Sequence, residues 1–173
     1  MEIITERLFL RPFSVSDITE VYLNALNDPS IIGMTEARHK NWNEENASAF
    51  IESVNNKTSI LFGVFLKNNG KPIGNVRLFD IHPIHLRGEL SLLFYDKSEW
   101  GKGYATEAVE AVVKFAFDEL NLHRITADHY ANNIASSKMF KKAGFIEEGV
   151  FKDHFNIGEN KYIDSVRIAK VNS

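Results

Sequence analysis

Trp100-Gly101-Lys102-Gly103-Tyr104-Ala105-Thr106-Glu107-Ala108 decides how this chain is read. A strand-like run, Glu89 to Tyr95, precedes it and a strongly periodic segment follows. In that segment Ala105, Ala108, Val109, Val112, Val113, Ala116, Phe117 and Leu120 fall on one stripe, the spacing of a core-facing helix. Glu107, Glu110, Lys114 and Asp118 take the opposite face. A glycine turn between strand and helix is a place to hold phosphate. The first backbone N–H groups of the helix lack partners, and its dipole favours negative charge there. Gly101 and Gly103 remove side chains that would block close approach. The expected ligand therefore carries a pyrophosphate, although a Gly-x-Gly pair also serves simply to turn a chain. The spacing excludes a Walker loop, which has four residues between its glycines. A dinucleotide fingerprint fails too, because Thr106 stands where its third glycine or alanine belongs.

Working outward, Ile3 to Leu10 alternates as a strand that Pro12 ends. Ser14 or Ser16 caps an expected helix to about Leu26, and Asn27-Asp28-Pro29 breaks it. Residues 30–43 read as irregular. Asn43 caps a second helix, Glu44 to Val54. Ile60 to Leu66 and Pro72 to Phe79 form a hairpin around Asn69-Gly70, and His82 to Arg87 is a loop. After the long helix come a strand, Arg124 to Tyr130, and a short helix, Ile134 to Ala143. Phe145 to Phe155 and Tyr162 to Val171 close as an antiparallel pair with Gly158 in the turn. This order gives an α/β (α+β) fold with a mixed sheet and helices on both faces. No repeat or linker interrupts it, so residues 1–173 read as one domain.

Composition agrees. The chain has 173 residues, 44% hydrophobic and 25% charged, which is ordinary globular usage with enough length for a sizeable core. A net charge of −3 supplies no basic field for nucleic acid. No apolar run approaches a membrane span, and the first residues lack a signal-type apolar region. With no cysteine there is no disulfide, thiolate zinc site or cysteine nucleophile, which fits a reducing cytoplasm.

Three blocks resemble a known family. Trp100-Gly101-Lys102-Gly103-Tyr104-Ala105 is similar to the acyl-CoA loop, Gln/Arg-x-x-Gly-x-Gly/Ala, of the GNAT superfamily of N-acetyltransferases. Gly103 and Ala105 fit, whereas Trp100 departs from the Gln/Arg position. Asn133-Ile134-Ala135-Ser136 leading to Lys142-Ala143-Gly144-Phe145 resembles the family's Asn-x-x-Ser…Lys-x-Gly-Phe segment. Thr5-Glu6-Arg7-Leu8-Phe9-Leu10-Arg11 resembles the opening of the ribosomal-protein alanine N-acetyltransferase branch. The resemblance implies a mostly antiparallel sheet whose fourth and fifth strands splay apart. It also implies acetyl-CoA as co-substrate, no metal, and an amine acceptor. A homodimer is common in this branch.

By the same resemblance, backbone N–H groups of Leu92, Leu93 and Phe94 bond pantetheine and the acetyl oxygen. The loop Trp100, Gly101, Lys102, Gly103, Tyr104, Ala105 and Thr106 takes the pyrophosphate, with Lys102 either adding charge or merely solvated. Asn133 bonds the pantetheine arm. Acyl transfer also needs a base for the ammonium and an acid for the thiolate. Glu89 is the candidate base: alternation puts it on one face with Ser91, Leu93 and Tyr95, and half-burial would raise its pKa into a useful range. The competing reading is a structural ion pair with Arg87. Where many family members carry a tyrosine acid, this chain has Phe140, which has no proton to give and is expected only to pack against the thioester. Ser136 is the substitute acid, with Ser137 and Tyr95 behind it; Ser136 reads equally as a helix N-cap or a cofactor contact.

The acceptor stays open at this stage: a protein N-terminal amine, suggested by the opening segment, or a small amine such as a polyamine or amino sugar. Glu36, Glu44 and Glu45 lining the groove would favour a polyamine. A non-catalytic acyl-CoA sensor is the reading from another class. Met34, His39 and Trp42 lie where the family's acceptor loop falls, so they either touch substrate or pack. His82-Pro83-Ile84-His85 lacks a third ligand nearby and reads as a surface loop rather than a metal site.

Overall fold

A computed structural model describes residues 1–173. Eight strands form one sheet in the order β1-β2-β3-β4-β5-β6-β8-β7. They are β1 (Ile3–Ile4), β2 (Leu8–Pro12), β3 (Ile60–Leu66), β4 (Pro72–His82), β5 (Arg87–Phe94), β6 (Arg124–Tyr130), β7 (Ile146–Gly158) and β8 (Lys161–Val171). Every neighbouring pair is antiparallel except β5 and β6. That parallel step requires a crossover, and α4 (Tyr104–Asp118) supplies it.

The helices divide between the two faces. The stripe of α4 is buried as its spacing predicts: Ala108, Val109, Val112 and Ala116 have no exposed surface. They pack with Leu8, Leu10, Val76 and Leu90 of the sheet, and with Met139 and Phe140 of α5 (Ile134–Lys142), in the larger apolar cluster. On the opposite face α1 (Glu20–Leu26) and α3 (Glu44–Val54) build a smaller cluster over β3 around Phe13, Tyr22, Ile51 and Phe65. α3 begins as its sequence implies, with Asn43 capping the Asn46 N–H at 2.9 Å and Asn46 reaching back to the Asn43 N–H at 3.0 Å. No helix covers the second face over β6 and β8, and Asp128 and Ser91 are exposed there.

The decisive feature is where the sheet opens. β5 and β6 pair only from Arg87↔Arg124 to Leu90↔Ala127. Beyond that, β5 runs on to Phe94 beside β4, and β6 runs on to Tyr130 beside β8. The two strands part, and the inner edges of Leu92–Phe94 are left without a β6 partner. This is the splay expected of strands Glu89 to Tyr95 and Arg124 to Tyr130.

Four expectations change in detail. The opening strand is two, because the chain turns back at Thr5–Arg7, where the Thr5 hydroxyl receives the Leu8 N–H at 2.9 Å. The helix expected from Ser14 to Leu26 breaks at Ile18: a 3₁₀ turn, Val15–Asp17, comes first, and Thr19 then caps α1. Residues 30–43 are not wholly irregular. Pro29 opens the short α2 (Pro29–Ile32), its missing N–H costing nothing at a first helical position, and Glu36–His39 form a 3₁₀ turn. β4 also extends to His82, beyond the expected Phe79.

Candidate active site

Gly103 is the N-cap of α4 and sits at φ +85°, while Gly101 sits at +76°. Both are in the left-handed region, where any side chain is strained. A Cβ on Gly101 would meet no atom within 4 Å, so the turn faces open space. Trp100 stands where the family has Gln or Arg. Its indole N–H donates to the Phe94 carbonyl at 2.9 Å and ties the loop to the end of β5. Lys102 is paired with Glu99 at 2.8 Å.

The opening segment explains itself as a clamp on this loop. Glu107, in the first turn of α4, accepts the Thr5 hydroxyl at 2.6 Å, the Arg7 backbone N–H at 2.9 Å and Arg7 Nε at 2.6 Å. Arg7 also donates to the Lys102 carbonyl at 3.0 Å and lies over the Tyr104 ring at 4.5 Å. An open cavity of about 610 Å³ adjoins the turn, lined by Arg7, Gly103, Thr106, Glu107, Lys142 and neighbours. Its lining carries two cations, Arg7 and Lys142, and three carboxylates, Glu6, Glu107 and Glu110, with Arg7 paired to Glu107.

Burial pushes the Glu107 carboxyl upward, but the hydrogen bonds from Thr5 and Arg7 outweigh it and hold the group below its ordinary value. A depressed carboxyl stabilises the fold above its unfolded pKa, and that contribution is lost as pH falls through the folded value. Glu107→Gln is therefore expected to lower Tm at neutral pH and to narrow its gap from the parent as pH drops below about 4. Thermal melts between pH 3 and 7 check this; a constant gap contradicts the clamp.

The second segment flanks the opening from α5. Asn133 caps α5, its side-chain oxygen receiving the Ser136 N–H at 3.1 Å, which leaves its amide NH₂ free to donate. The cap of this helix is thus Asn133 and not Ser136, whose half-buried hydroxyl has no hydrogen-bond partner in the protein. Phe140 is 2% exposed and stands edge-on to Phe145 at 5.1 Å. Its ring is spent on core packing, not presented at the opening as expected. Leu92, Leu93, Phe94, Tyr104, Ala105 and Thr106 are all half-buried along the mouth.

On the open face Glu89 is ion-paired, with a different partner from the one expected. Arg87 turns to Asp80 at 2.9 Å. Arg167, from β8, donates to Glu89 at 2.7 Å, to Asp128 at 2.7 Å and to the Thr126 hydroxyl at 3.0 Å. One guanidinium thus fixes two carboxylates over the narrow end of the opening. Tyr95 is ruled out as an acid: it is 5% exposed, its hydroxyl has no partner, and it packs against Tyr22. Burial raises its pKa, as it raises that of Tyr22 to about 12.

The acceptor-loop region packs more than it projects. Trp42 donates its indole N–H to the Ala37 carbonyl at 2.8 Å and meets Phe50 edge-on. Met34 and His39 remain exposed. Glu36 accepts the Tyr130 hydroxyl at 2.6 Å, and Arg38 lies over the Tyr130 ring at 5.1 Å while donating to the Asn156 carbonyl at 2.9 Å. Glu44 and Glu45 sit exposed in the first turn of α3, where the helix dipole favours them. Of the three glutamates, Glu36 is bonded to a β6 residue, while Glu44 and Glu45 stand on α3.

The family model described as "Acetyltransferase (GNAT) domain" matches residues 7–146, from the clamp to the start of β7. The chain belongs to the GNAT acetyltransferase family. Among curated relatives it is similar to the uncharacterized N-acetyltransferase YnaD of Bacillus subtilis, 33% identical over 88% of this chain and 86% of the relative. It is also similar to the probable N-acetyltransferase YjcK of the same organism, 42% identical over 56% of this chain but only 53% of the relative. Among solved structures, a GNAT-family acetyltransferase from Bacillus anthracis superposes with a TM-score of 0.85 at 27% identity, over 99% of this chain and 98% of that one. The spermidine N-acetyltransferase of Vibrio cholerae, solved with CoA and spermine, shares the fold with a TM-score of 0.82 at 23% identity, over 96% of each chain.

Two features of this GNAT domain lay beyond sequence reading. Arg167 and Asp128 could not be joined to Glu89 because the β6–β8 register is set by strands far apart in the chain. Alternation along Arg124 to Tyr130 does put Thr126, Asp128 and Tyr130 on one face, and that was the available signal. His82 and His85 stack at 4.3 Å on an exposed hairpin, with the His85 N–H donating to His82 Nδ1 at 3.1 Å. No cluster of three or more potential ligands forms there or elsewhere, and no helix is long and apolar enough to cross a membrane.

Proposed function

We propose that this GNAT domain moves an acetyl group from acetyl-CoA to a primary amine by direct attack in a ternary complex, with residues 1–173 acting as one catalytic domain. The observation that carries this reading is the parting of β5 from β6 after Leu90 and Ala127, beside a helix capped by left-handed Gly103. Acetyl-CoA fits there: the turn offers unhindered N–H groups for a pyrophosphate, and Leu92–Phe94 offer free edges for an amide-bearing arm. When bound, the thioester supplies an acyl carbon open to attack.

This chain's residues then divide the work. Glu89, held by Arg167, takes the proton of the incoming ammonium directly or through one water. The N–H groups of Leu92 and Phe94, which alternation turns away from β4, receive the negative charge that develops on the acetyl oxygen. Asn133 donates its free amide to the pantetheine arm, and the unpartnered Ser136 hydroxyl passes a proton to the leaving sulfur as the C–S bond breaks and regains one from the second N–H that the attacking nitrogen sheds. Gly101 to Thr106 anchor the pyrophosphate, with Arg7 and Lys142 as nearby cations.

For the acceptor, a protein N-terminal amine is favoured over a polyamine, because Glu36 is engaged by Tyr130 and Glu44 and Glu45 stand at the start of α3. The opening segment no longer argues for either, since Thr5 and Arg7 act on Glu107. The test is thiol release from acetyl-CoA against N-terminal peptides, amino sugars and spermidine. Release with peptides supports the reading, and release with spermidine alone overturns the choice of acceptor. A rise in Tm with acetyl-CoA but no release on any amine favours a sensor.

A further inference from the structure

Arg77, on the same face of the sheet as Glu89, has no carboxylate partner. It stands on β4 directly across from Ser91 of β5, and its neighbour Phe79 stands across from Glu89. Its Nε donates to the Ser59 hydroxyl at 3.0 Å. The guanidinium carbon lies 4.8 Å from the Phe79 ring centre and 5.9 Å from that of Phe50, which fixes its plane by cation–π contact. Neither Nη nitrogen has a hydrogen-bond partner in the protein, and neither is sealed from solvent. Arg167, on the far side of the same face, is by contrast fully engaged with Glu89, Asp128 and Thr126.

A half-buried guanidinium without a counter-ion is costly, and its fork matches a carboxylate in bidentate geometry. Burial lowers the Arg77 pKa, as expected for a cation held without its anion. The position gives the missing anion a place. Ser91 lies two residues beyond Glu89 on β5, and adjacent strands are about 4.8 Å apart, so the backbones of Arg77 and Glu89 are roughly 7–10 Å apart, with the Ser59 bond drawing the guanidinium toward the β3 side of Phe79. An extended peptide advances about 3.3 Å per residue. An amine delivered to Glu89 would thus place the side chain of the second or third residue near Arg77.

We infer that Arg77 selects acceptors bearing a carboxylate about two residues from the reacting amine, so that the preferred substrate is a peptide N-terminus with Asp or Glu at its second or third position. This rests on the amine-transfer reading and narrows it. The same charge repels the distal ammonium of a polyamine.

The test compares two short C-terminally amidated peptides, Ala-Glu-Glu-Phe and Ala-Gln-Gln-Phe, with glutamate as a free amino acid and spermidine as further arms. Initial rates of thiol release are measured on the parent, Arg77→Met and Arg77→Lys. Methionine keeps the apolar stem against Phe50 and Phe79, and lysine keeps the charge, so a folding defect is separated from a lost contact. The parent is expected to prefer the acidic peptide at least tenfold in kcat/KM, through KM. Arg77→Met should bring that ratio close to one, and Arg77→Lys should restore part of it. A tenfold preference for free glutamate over the peptides moves the carboxylate to a small molecule and overturns the peptide assignment. Equal rates on both peptides in the parent, or a preference that survives Arg77→Met, overturns the selection itself. Binding of the fluorescein-labelled acidic peptide to the protein with CoA is read in parallel. Should no amine be acetylated, the transfer reading fails, while loss of peptide binding in Arg77→Met still decides the role of Arg77.

Discussion

Glu89→Gln is expected to cut acetyl transfer about 10²- to 10⁴-fold, the usual span for a positioned general base, while leaving the acetyl-CoA-dependent rise in Tm intact. The amide keeps the shape of the carboxylate but cannot take a proton from the ammonium. Arg167 keeps Asp128 at 2.7 Å and Thr126 at 3.0 Å, so the face over the opening stays anchored. The substitution also separates a base from a mere ion-pair partner. Loss of a base removes turnover while Tm, with and without acetyl-CoA, holds. Loss of a structural partner would instead lower Tm and leave turnover nearly intact. Turnover within about threefold of the parent would remove Glu89 from the mechanism.

Gly103→Val should weaken acetyl-CoA at least tenfold in KM and lower Tm as well. At φ +85° a β-branched residue is strained by about 1–3 kcal/mol. A Cβ there makes ordinary contact with Arg7 Nη2 at 3.5 Å, so the strain sits in the backbone and not in a clash. The added methyls also stand where backbone N–H groups must approach the pyrophosphate. Gly158→Val is the matched control. Gly158 sits at φ +97° in the β7–β8 hairpin with nothing within 4 Å of its Cβ. It should share the loss of Tm but not the change in KM. Equal KM values for the parent and Gly103→Val would show that the turn does not hold the cofactor.

Local chemistry was legible in the sequence, and distant pairing was not. The α4 stripe, the Asn43 cap, the Asn69-Gly70 turn and the strand Arg124–Tyr130 all follow from spacing within a few residues, and each forms where it was expected. The breaks at Thr5 and Ile18 were missed because side chains made competing bonds to the backbone: Thr5 to Leu8, Thr19 to Tyr22. At the site, the glycine loop was readable because Gly is the residue that tolerates its dihedrals. The partner of Glu89 was not, because Arg87 was near in sequence whereas Arg167 is near in space. Lys102 bonds Glu99 and Trp100 bonds the Phe94 carbonyl, contacts that the loop motif does not specify. A motif position fixes the backbone around it more firmly than it fixes where a long side chain goes.

The most direct measurement of the central claim is amide hydrogen exchange with and without saturating acetyl-CoA. Slowed exchange is expected in Leu92–Phe94 at the strand opening, in Gly101–Glu107 at the turn and the start of α4, and around Asn133–Ser136 of α5, with β7 and β8 unchanged. Protection confined to β7 and β8, or none in Leu92–Phe94 and Gly101–Glu107 at saturation, would contradict the seating of acetyl-CoA in this opening.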